Sequence, residues 1–396
     1  MSIGPRLSAF RAGPPVVPYQ RIGMLSTYPP KLCGLATFAA AMETALVRAG
    51  HHVDVVRVDD GDHVVGGVRP VAATLLNGVP ASVRAAASVL SRGDVAIVQH
   101  EYGIYGGPDG DEVLDLLRAL TVPAIVVLHT VPLVPTARQR SVLTAIGRMA
   151  DRLVVMTESA STRLLGSYPV DPTKVVTIPH GASQPSVDVE GDAASRGARP
   201  QLLTWGLLGP GKGIEHAIDA LALLSDLHPR TRYTVAGVTH PKVFARDGDE
   251  YRRALITRSW ANGVAGAVAF DDTYRDLAQL TRFVASCTAV VLPYDSRDQV
   301  TSGVLVDAIA AGRPVIATAF PHAVELLSSG AGIVVPHADP VALSEAIRAT
   351  VSDPHLLLSM SAEARRLAPS LSWSAVAAQY AFLADELVRI AEPVAI

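Results

Sequence analysis

Short, almost uninterrupted runs of Val, Ile, Leu and Ala recur along this chain, and their rhythm restricts the fold more than any other feature. In the first half they are RIGMLS (21–26), VDVVRV (53–58), DVAIVQ (94–99), PAIVVLH (123–129), RLVVMT (152–157) and KVVTIP (174–179). A strand with one wet face alternates apolar and polar side chains. A strand covered on both faces, as in a parallel sheet, reads as a nearly continuous apolar run. Segments with helical spacing lie between the runs, at 34–49, 80–91, 109–120, 135–150 and 158–166. This alternation predicts a doubly wound α/β sheet.

Residues 183–200, SQPSVDVEGDAASRGARP from position 183 on, interrupt the rhythm with small, polar and Pro/Gly-bearing residues and read as an inter-domain linker. The rhythm then restarts with runs at 201–206, 232–237, 267–270, 288–293, 313–318 and 332–336, and helices at about 212–227, 250–262, 274–286, 303–311, 322–329 and 339–352. The expected organisation is a disordered tail at 1–20, a first domain at 21–182, the linker, a second domain at 201–368 and a closing segment at 369–396. A length of 396 residues suits two such domains, and 49% apolar residues exclude a disordered chain. The 34 Lys and Arg nearly balance 37 Asp and Glu, which argues against a broad nucleic-acid-binding face. No apolar run approaches the ~20 residues of a membrane span, and the arginine-bearing N-terminus lacks the apolar stretch of a signal peptide. Two distant cysteines, Cys33 and Cys287, exclude a disulfide framework and a cysteine-only metal site, and suit a cytoplasmic protein.

Two α/β domains facing a cleft favour a ligand at the carboxyl ends of their strands, and the informative residues follow strands. After the first run, a Pro/Gly loop opens a helix near Gly34, where unpaired N–H groups suit an anion; an ordinary turn explains the loop equally well. After 201–206 comes GLLGPGKG, with Gly206, Gly211 and Lys212 spaced as in a P-loop, but Gly213 stands where the magnesium-binding hydroxyl belongs. What survives is one lysine in a glycine-rich turn that opens a helix, suited to a diphosphate. After 288–293, Thr301, Ser302 and Gly303 read as a helix start with outward N–H groups, continued by Val304. Asp307, one turn on, is placed either to complement the helix dipole or to accept from a ribose diol. His100, His129 and His180 all end or follow apolar runs, without the spacing of metal ligands, so no metal site is expected.

Together these landmarks resemble the retaining glycosyltransferases of family 4, which have the GT-B fold of two Rossmann-like parallel-sheet domains facing a cleft. The resemblance covers about residues 20–391. YPPKLCGLATF resembles the family's glycine-containing acceptor-side loop, LHT (128–130) the segment whose histidine faces the donor sugar, and IPHG (178–181) the end of the first domain. GLLGPGKG resembles the donor-phosphate turn, LPYDSRDQVTSGVLVDAIAAGRPVIAT the donor stretch with its pair of glutamates, and SW…Y the closing helix that crosses back to the first domain. QHEYGIYGG (99–107) resembles a bacterial subgroup. Two departures stand out: Leu207 replaces the turn's arginine, and Gln299 and Asp307 replace the glutamate pair.

The resemblance implies a retaining, metal-independent transfer of a hexose from a UDP- or GDP-linked sugar to a carbohydrate or glycoconjugate acceptor, with no cofactor beyond the donor. Peripheral membrane contact stays open. Lys212 is expected to meet the diphosphate, the 302–305 helix start to add N–H groups, Asp307 to hold the ribose, Gln299 the hexose, and His129 to lie against the sugar. Tyr28, Lys31, His100 and Glu101 are expected on the acceptor side, and Arg297 to replace the cation lost at Leu207. The altered glutamate pair keeps two alternatives in play: a non-catalytic sugar-nucleotide or glycan binder, and a sugar-nucleotide epimerase.

Overall fold

Two parallel sheets, seven and six strands wide, carry the chain. The computed structural model describes residues 18–31, 33–61, 71–185, 199–273 and 275–391. The first unit runs β1 (Arg21–Ser26), α1 (Gly34–Arg48), β2 (His52–Asp59), β3 (Val71–Leu76), α2 (Pro80–Leu90), β4 (Val95–His100), α3 (Val113–Ala119), β5 (Ala124–Leu128), α4 (Ala137–Met149), β6 (Arg152–Val155), α5 (Glu158–Ser167) and β7 (Val175–Thr177). Its strand order is β3-β2-β1-β4-β5-β6-β7. The second runs β8 (Gln201–Trp205), α6 (Ile214–Ala222), β9 (Arg232–Ala236), α7 (Pro241–Asp247), α8 (Glu250–Ala261), β10 (Val268–Asp271), α9 (Leu277–Ser286), β11 (Ala289–Leu292), α10 (Gly303–Ala310), β12 (Val315–Thr318), α11 (Pro321–Leu327), β13 (Gly332–Val335), α12 (Pro340–Ser352), α13 (Pro354–Leu367) and α14 (Trp373–Ala391). Its order is β10-β9-β8-β11-β12-β13, so each sheet reverses direction beside its first strand, which leaves a crevice at β1/β4 and at β8/β11.

Three elements add to the sequence reading. β3 is a short edge strand, VAATLL, in which only Leu75 is buried. The seven residues of α7 bury no side chain, and Pro241, Phe244 and Ala245 line a hollow just past β9 and β10. α13 is separated from α12 only by Asp353, whose carboxylate accepts from the N–H groups of His355 and Leu356 and so starts a new helix at Pro354. Two expected helices are shorter than their patterns. Asp109 at φ 54° delays regular helix to Val113, and Gly213 at φ 62° caps α6 so that it starts at Ile214. Most of the expected tail and linker, 1–17 and 186–198, lies outside the described residues.

Strand alternation sends Leu25, Val56, Val98 and Val126 to one face of the first sheet and Met24, Val55, Ile97 and Ile125 to the other. α1 covers part of the second face, and α14, from the far end of the chain, covers the rest with Val376, Ala377, Tyr380, Ala384 and Leu387. Full burial of each large side chain contributes ~1.5–3 kcal/mol. The two chain crossings lie side by side: Ala182 donates to Leu371 O at 2.8 Å and Trp373 donates to Ala182 O at 3.2 Å. No helix among the described residues is long and apolar enough to cross a membrane.

Candidate functional site

On the first sheet, the polar residues at the strand ends gather under the start of α1. β5 ends at Leu128, and the His129 N–H continues the ladder to His100 O at 3.0 Å. The His129 ring pairs Nε2 with Gln99 Oε1 at 2.7 Å, so Nε2 carries the proton. Burial, reinforced by His180 and His100, pushes its pKa down to about 3, and the ring is neutral. Phe38, on α1, meets His129, His180 and Trp373 edge-on at 4.9, 5.0 and 4.9 Å. His180 pairs Nδ1 with Gly181 O at 2.7 Å, which leaves Nε2 as acceptor facing Gly303 across the cleft. A Cβ at Gly303 would lie 2.9 Å from that nitrogen, so only glycine lets α10 approach.

The four residues expected on the acceptor side separate. Tyr28 is buried and donates to Glu43 at 3.4 Å. Lys31 is paired with Asp60 at 2.7 Å. Glu101 accepts from the Thr130 hydroxyl and from the Tyr102 N–H, and burial raises its pKa. His100 is wholly buried edge-on to Tyr102, and both ring nitrogens lack a partner among the described residues. Gly34 sits exposed, with open space where its Cβ would be.

On the second sheet, Gly206, Gly211 and Gly213 take φ of 121°, 87° and 62° in the turn after β8. A Cβ at Gly213 would stand 1.7 Å from Pro293 O, so the turn can rest on the end of β11 only with glycine there. Lys212 is thereby held half-buried, its Nζ 4.6 Å from the centre of the Tyr294 ring. Burial lowers its pKa, and no carboxylate pairs with it among the described residues. A desolvated ammonium resting on an aromatic face has its charge available for an anion. The preceding Leu207 adds no cation.

Beyond β11, the Ser302 hydroxyl caps α10 by accepting from Leu305 N at 3.3 Å, and the Gly303 and Val304 N–H groups have no partner among the described residues. The Thr301 hydroxyl is buried and unpartnered. Gln299 turns its amide back to Thr301 O at 3.1 Å. Asp307 is half-buried, its carboxylate has no hydrogen bond or ion pair among the described residues, and desolvation pushes its pKa up to about 7. Arg297 is exposed and has no ion-pair partner among the described residues, and Asp295 pairs instead with His216 at 3.2 Å. The Asp295 pair belongs to the one group of three metal-ligating side chains within reach of one another among the described residues, Glu215, His216 and Asp295. Glu215 already accepts from the Tyr251 hydroxyl at 3.0 Å. A hollow of about 440 Å³ opens at the ends of β9 and β10, lined by Val238, Thr239, Phe244, Arg252 and Asp272. It borders the lysine turn through Leu208, which donates to Val238 O at 2.9 Å.

The two halves also grip one another around this site. The Thr157 hydroxyl donates to Val300 O at 2.9 Å, and Arg163 reaches Asp298 O at 2.9 Å. Glu325 of α11 accepts from Glu158 N, Ser159 N and the Ser159 hydroxyl at 2.9, 2.8 and 2.7 Å, capping α5 of the other half. None of these contacts carries a sequence signal, because each joins residues more than a hundred positions apart. Gln99 does: like His100 and His129, it is polar at the end of an apolar run. Glu325→Ala should loosen the cleft. Small-angle scattering is expected to show a larger radius of gyration than wild type, and an identical curve would reduce Glu325 to a surface cap.

Comparison with known proteins places these features. The profile described as "Glycosyltransferase Family 4" matches residues 33–183, and that described as "Glycosyl transferases group 1" matches 190–367. The chain is 29% identical to D-inositol 3-phosphate glycosyltransferase 1 of Catenulispora acidiphila, over 65% of this chain and 65% of that protein, just under two thirds of the relative's length. It is 26% identical to the glycogen synthase of Mycobacterium tuberculosis, over 90% of this chain and 92% of that protein. The fold is similar to that of the sucrose-phosphate synthase of Thermosynechococcus elongatus, with a TM-score of 0.74 at 19% identity, over 94% of this chain and all of the other. HepE of Anabaena, solved in complex with UDP, has a TM-score of 0.72 at 18% identity, over 93% of this chain and all of the other.

Proposed function

Since the chain belongs to the group 1, family 4 glycosyltransferases and has their GT-B fold, we propose that it transfers a hexose from a nucleoside-diphosphate sugar to a hydroxyl of a carbohydrate or glycoconjugate acceptor, with retention of configuration and without a metal. One observation carries this reading. Lys212, the Gly303 and Val304 N–H groups and the Asp307 carboxylate, which lack hydrogen-bond and ion-pair partners among the described residues, all stand at the crevice between β8 and β11. A cation and helix-start donors suit a leaving diphosphate, and a carboxylate without donors suits a ribose diol. The hollow beside β9 and β10 has room for the base. The neutral His129 ring offers the sugar a group that adds no charge to an oxocarbenium-like transition state. In this reading no side chain serves as base; a leaving-phosphate oxygen takes the acceptor proton. Of the residues expected on the acceptor side, the partly exposed Lys31 and Glu101 are left to meet the acceptor, and the enzyme works in the cytoplasm.

The test is a panel of UDP-, GDP- and ADP-sugars, scored for binding by thermal shift and for nucleoside-diphosphate release with and without acceptors. A ligand at a hundred times its Kd adds ~2.7 kcal/mol to stability. The expected result is one stabilising donor, turnover unaffected by EDTA, and an α-linked product from an α-linked donor. The inward turn of Gln299 favours a second reading, a sugar-nucleotide binder that does not transfer. Tight binding with no turnover across acceptors would select it, and no binding would remove the donor site.

Arg297 completes the proposed donor site. Exposed in the loop before α10 and unpaired among the described residues, it supplies the second cation that Leu207 does not. Arg297→Ala is expected to lower kcat about 10²-fold, the strength of an oxyanion-hole contact, and Leu207→Arg to restore part of it. Unchanged kinetics would return Arg297 to solvent.

A further inference from the structure

His322, at the second position of α11, is buried and lies outside every role assigned above. Its ring Nδ1 stands 2.9 Å from Ser302 N, and its own N–H donates to Gln299 O at 3.3 Å. A backbone N–H can only donate, so Nδ1 is the acceptor and the ring proton is on Nε2. One residue thus holds both ends of the Gln299–Ser302 segment that leads into α10.

The sequence of α10 creates the need. A capped helix often has its cap residue's own N–H satisfied by a Glu or Gln three positions on, reaching back. That position here is Leu305, which cannot accept. Ser302 is buried, so water does not take its place. The acceptor comes instead from α11.

We propose that His322 is a positioning residue for the donor site, replacing the missing reciprocal cap so that α10 presents the Gly303 and Val304 N–H groups toward the diphosphate. This rests on the donor site proposed above. The other bonds to the loop before α10 come from the first half, from Thr157 to Val300 O and from Arg163 to Asp298 O, and none of them reaches the Ser302 N–H; the Gln299 side-chain amide bonds only within the loop, and the Thr301 hydroxyl is unpaired among the described residues. Burial lowers the ring's pKa to about 4, which keeps Nδ1 an acceptor at neutral pH.

Two amide substitutions separate positioning from packing. Asn Oδ1 can occupy the place of Nδ1, whereas Gln Oε1 falls nearer that of Nε2. His322→Asn should keep wild-type affinity for UDP or GDP, wild-type kcat and slow exchange of the Ser302 amide. His322→Gln should expose that amide to exchange and lower kcat roughly ten- to a hundred-fold, the effect of a misplaced contact, with a smaller rise in donor KM. If His322→Gln does not fold, His322→Asn alone decides, because a role in packing the imidazole predicts that Asn loses activity too. Equal kinetics and equal Ser302 exchange in both variants would overturn the role of His322. Wild-type protein that binds none of UDP, GDP and ADP would overturn the donor site itself, and this role with it.

Discussion

Replacing Lys212 with methionine should lower kcat at saturating donor by about 10²–10³-fold, the cost of removing one preorganised group that stabilises a leaving anion. The physical case is the lysine's isolation. Its Nζ lies 4.6 Å from the Tyr294 ring centre, no carboxylate neutralises it among the described residues, and burial lowers its pKa. The folded chain keeps a charge there that the protein does not use. Methionine retains the apolar stem against Tyr294 and removes the desolvated charge, so the unfolding temperature should hold or rise slightly. Wild-type turnover in Lys212→Met would refute the phosphate assignment. A collapse in stability would mark the lysine as structural.

Asp307→Asn should move stability and binding in opposite directions. Desolvation raises the Asp307 pKa from its ordinary 3.8 to about 7. Between those values the folded chain binds more protons at this site than the unfolded chain does, so stability falls as pH rises through the window. What Asp307 contributes is fully present below about pH 4 and lost above about pH 7. Asparagine carries no such penalty, and the ligand-free variant should be more stable than wild type at pH 8, with little difference at pH 4. A ribose diol donates to the ionised carboxylate, so UDP or GDP should bind wild type more tightly as pH rises from 6 to 8. The variant should bind more weakly and lose this pH trend. Calorimetry at both pH values checks the prediction. Equal affinity in wild type and variant would remove Asp307 from the ribose, whatever the stability data show.

The sheets were legible because a buried parallel strand cannot hide: it must be apolar on both faces, as AIVVL and TAVVL are. The residues of the lysine turn and of the α10 start were legible because glycines, caps and charges have local meaning. β3 was not, since a short apolar run such as VAATLL does not by itself separate a strand from a piece of helix. His322 and Glu325 were not, because their partners, Ser302 and the start of α5, come from other parts of the chain. His100 shows the opposite error: its place after a strand suggested an open cleft, yet the Tyr102 ring and the first core close over it.

The placement of α14 has a consequence during synthesis. Residues 373–391 cover one face of the first sheet, whose last strand ends at Thr177. Until they emerge from the ribosome, the part of that face that α1 does not cover is an open apolar surface. At ~5–20 residues per second the wait is on the order of ten to forty seconds. The second half, with its own cores, is made entirely within that interval. The nascent first half is therefore the part of this chain most exposed to chaperones and to self-association, and its sheet is fully covered only after the second half has been made.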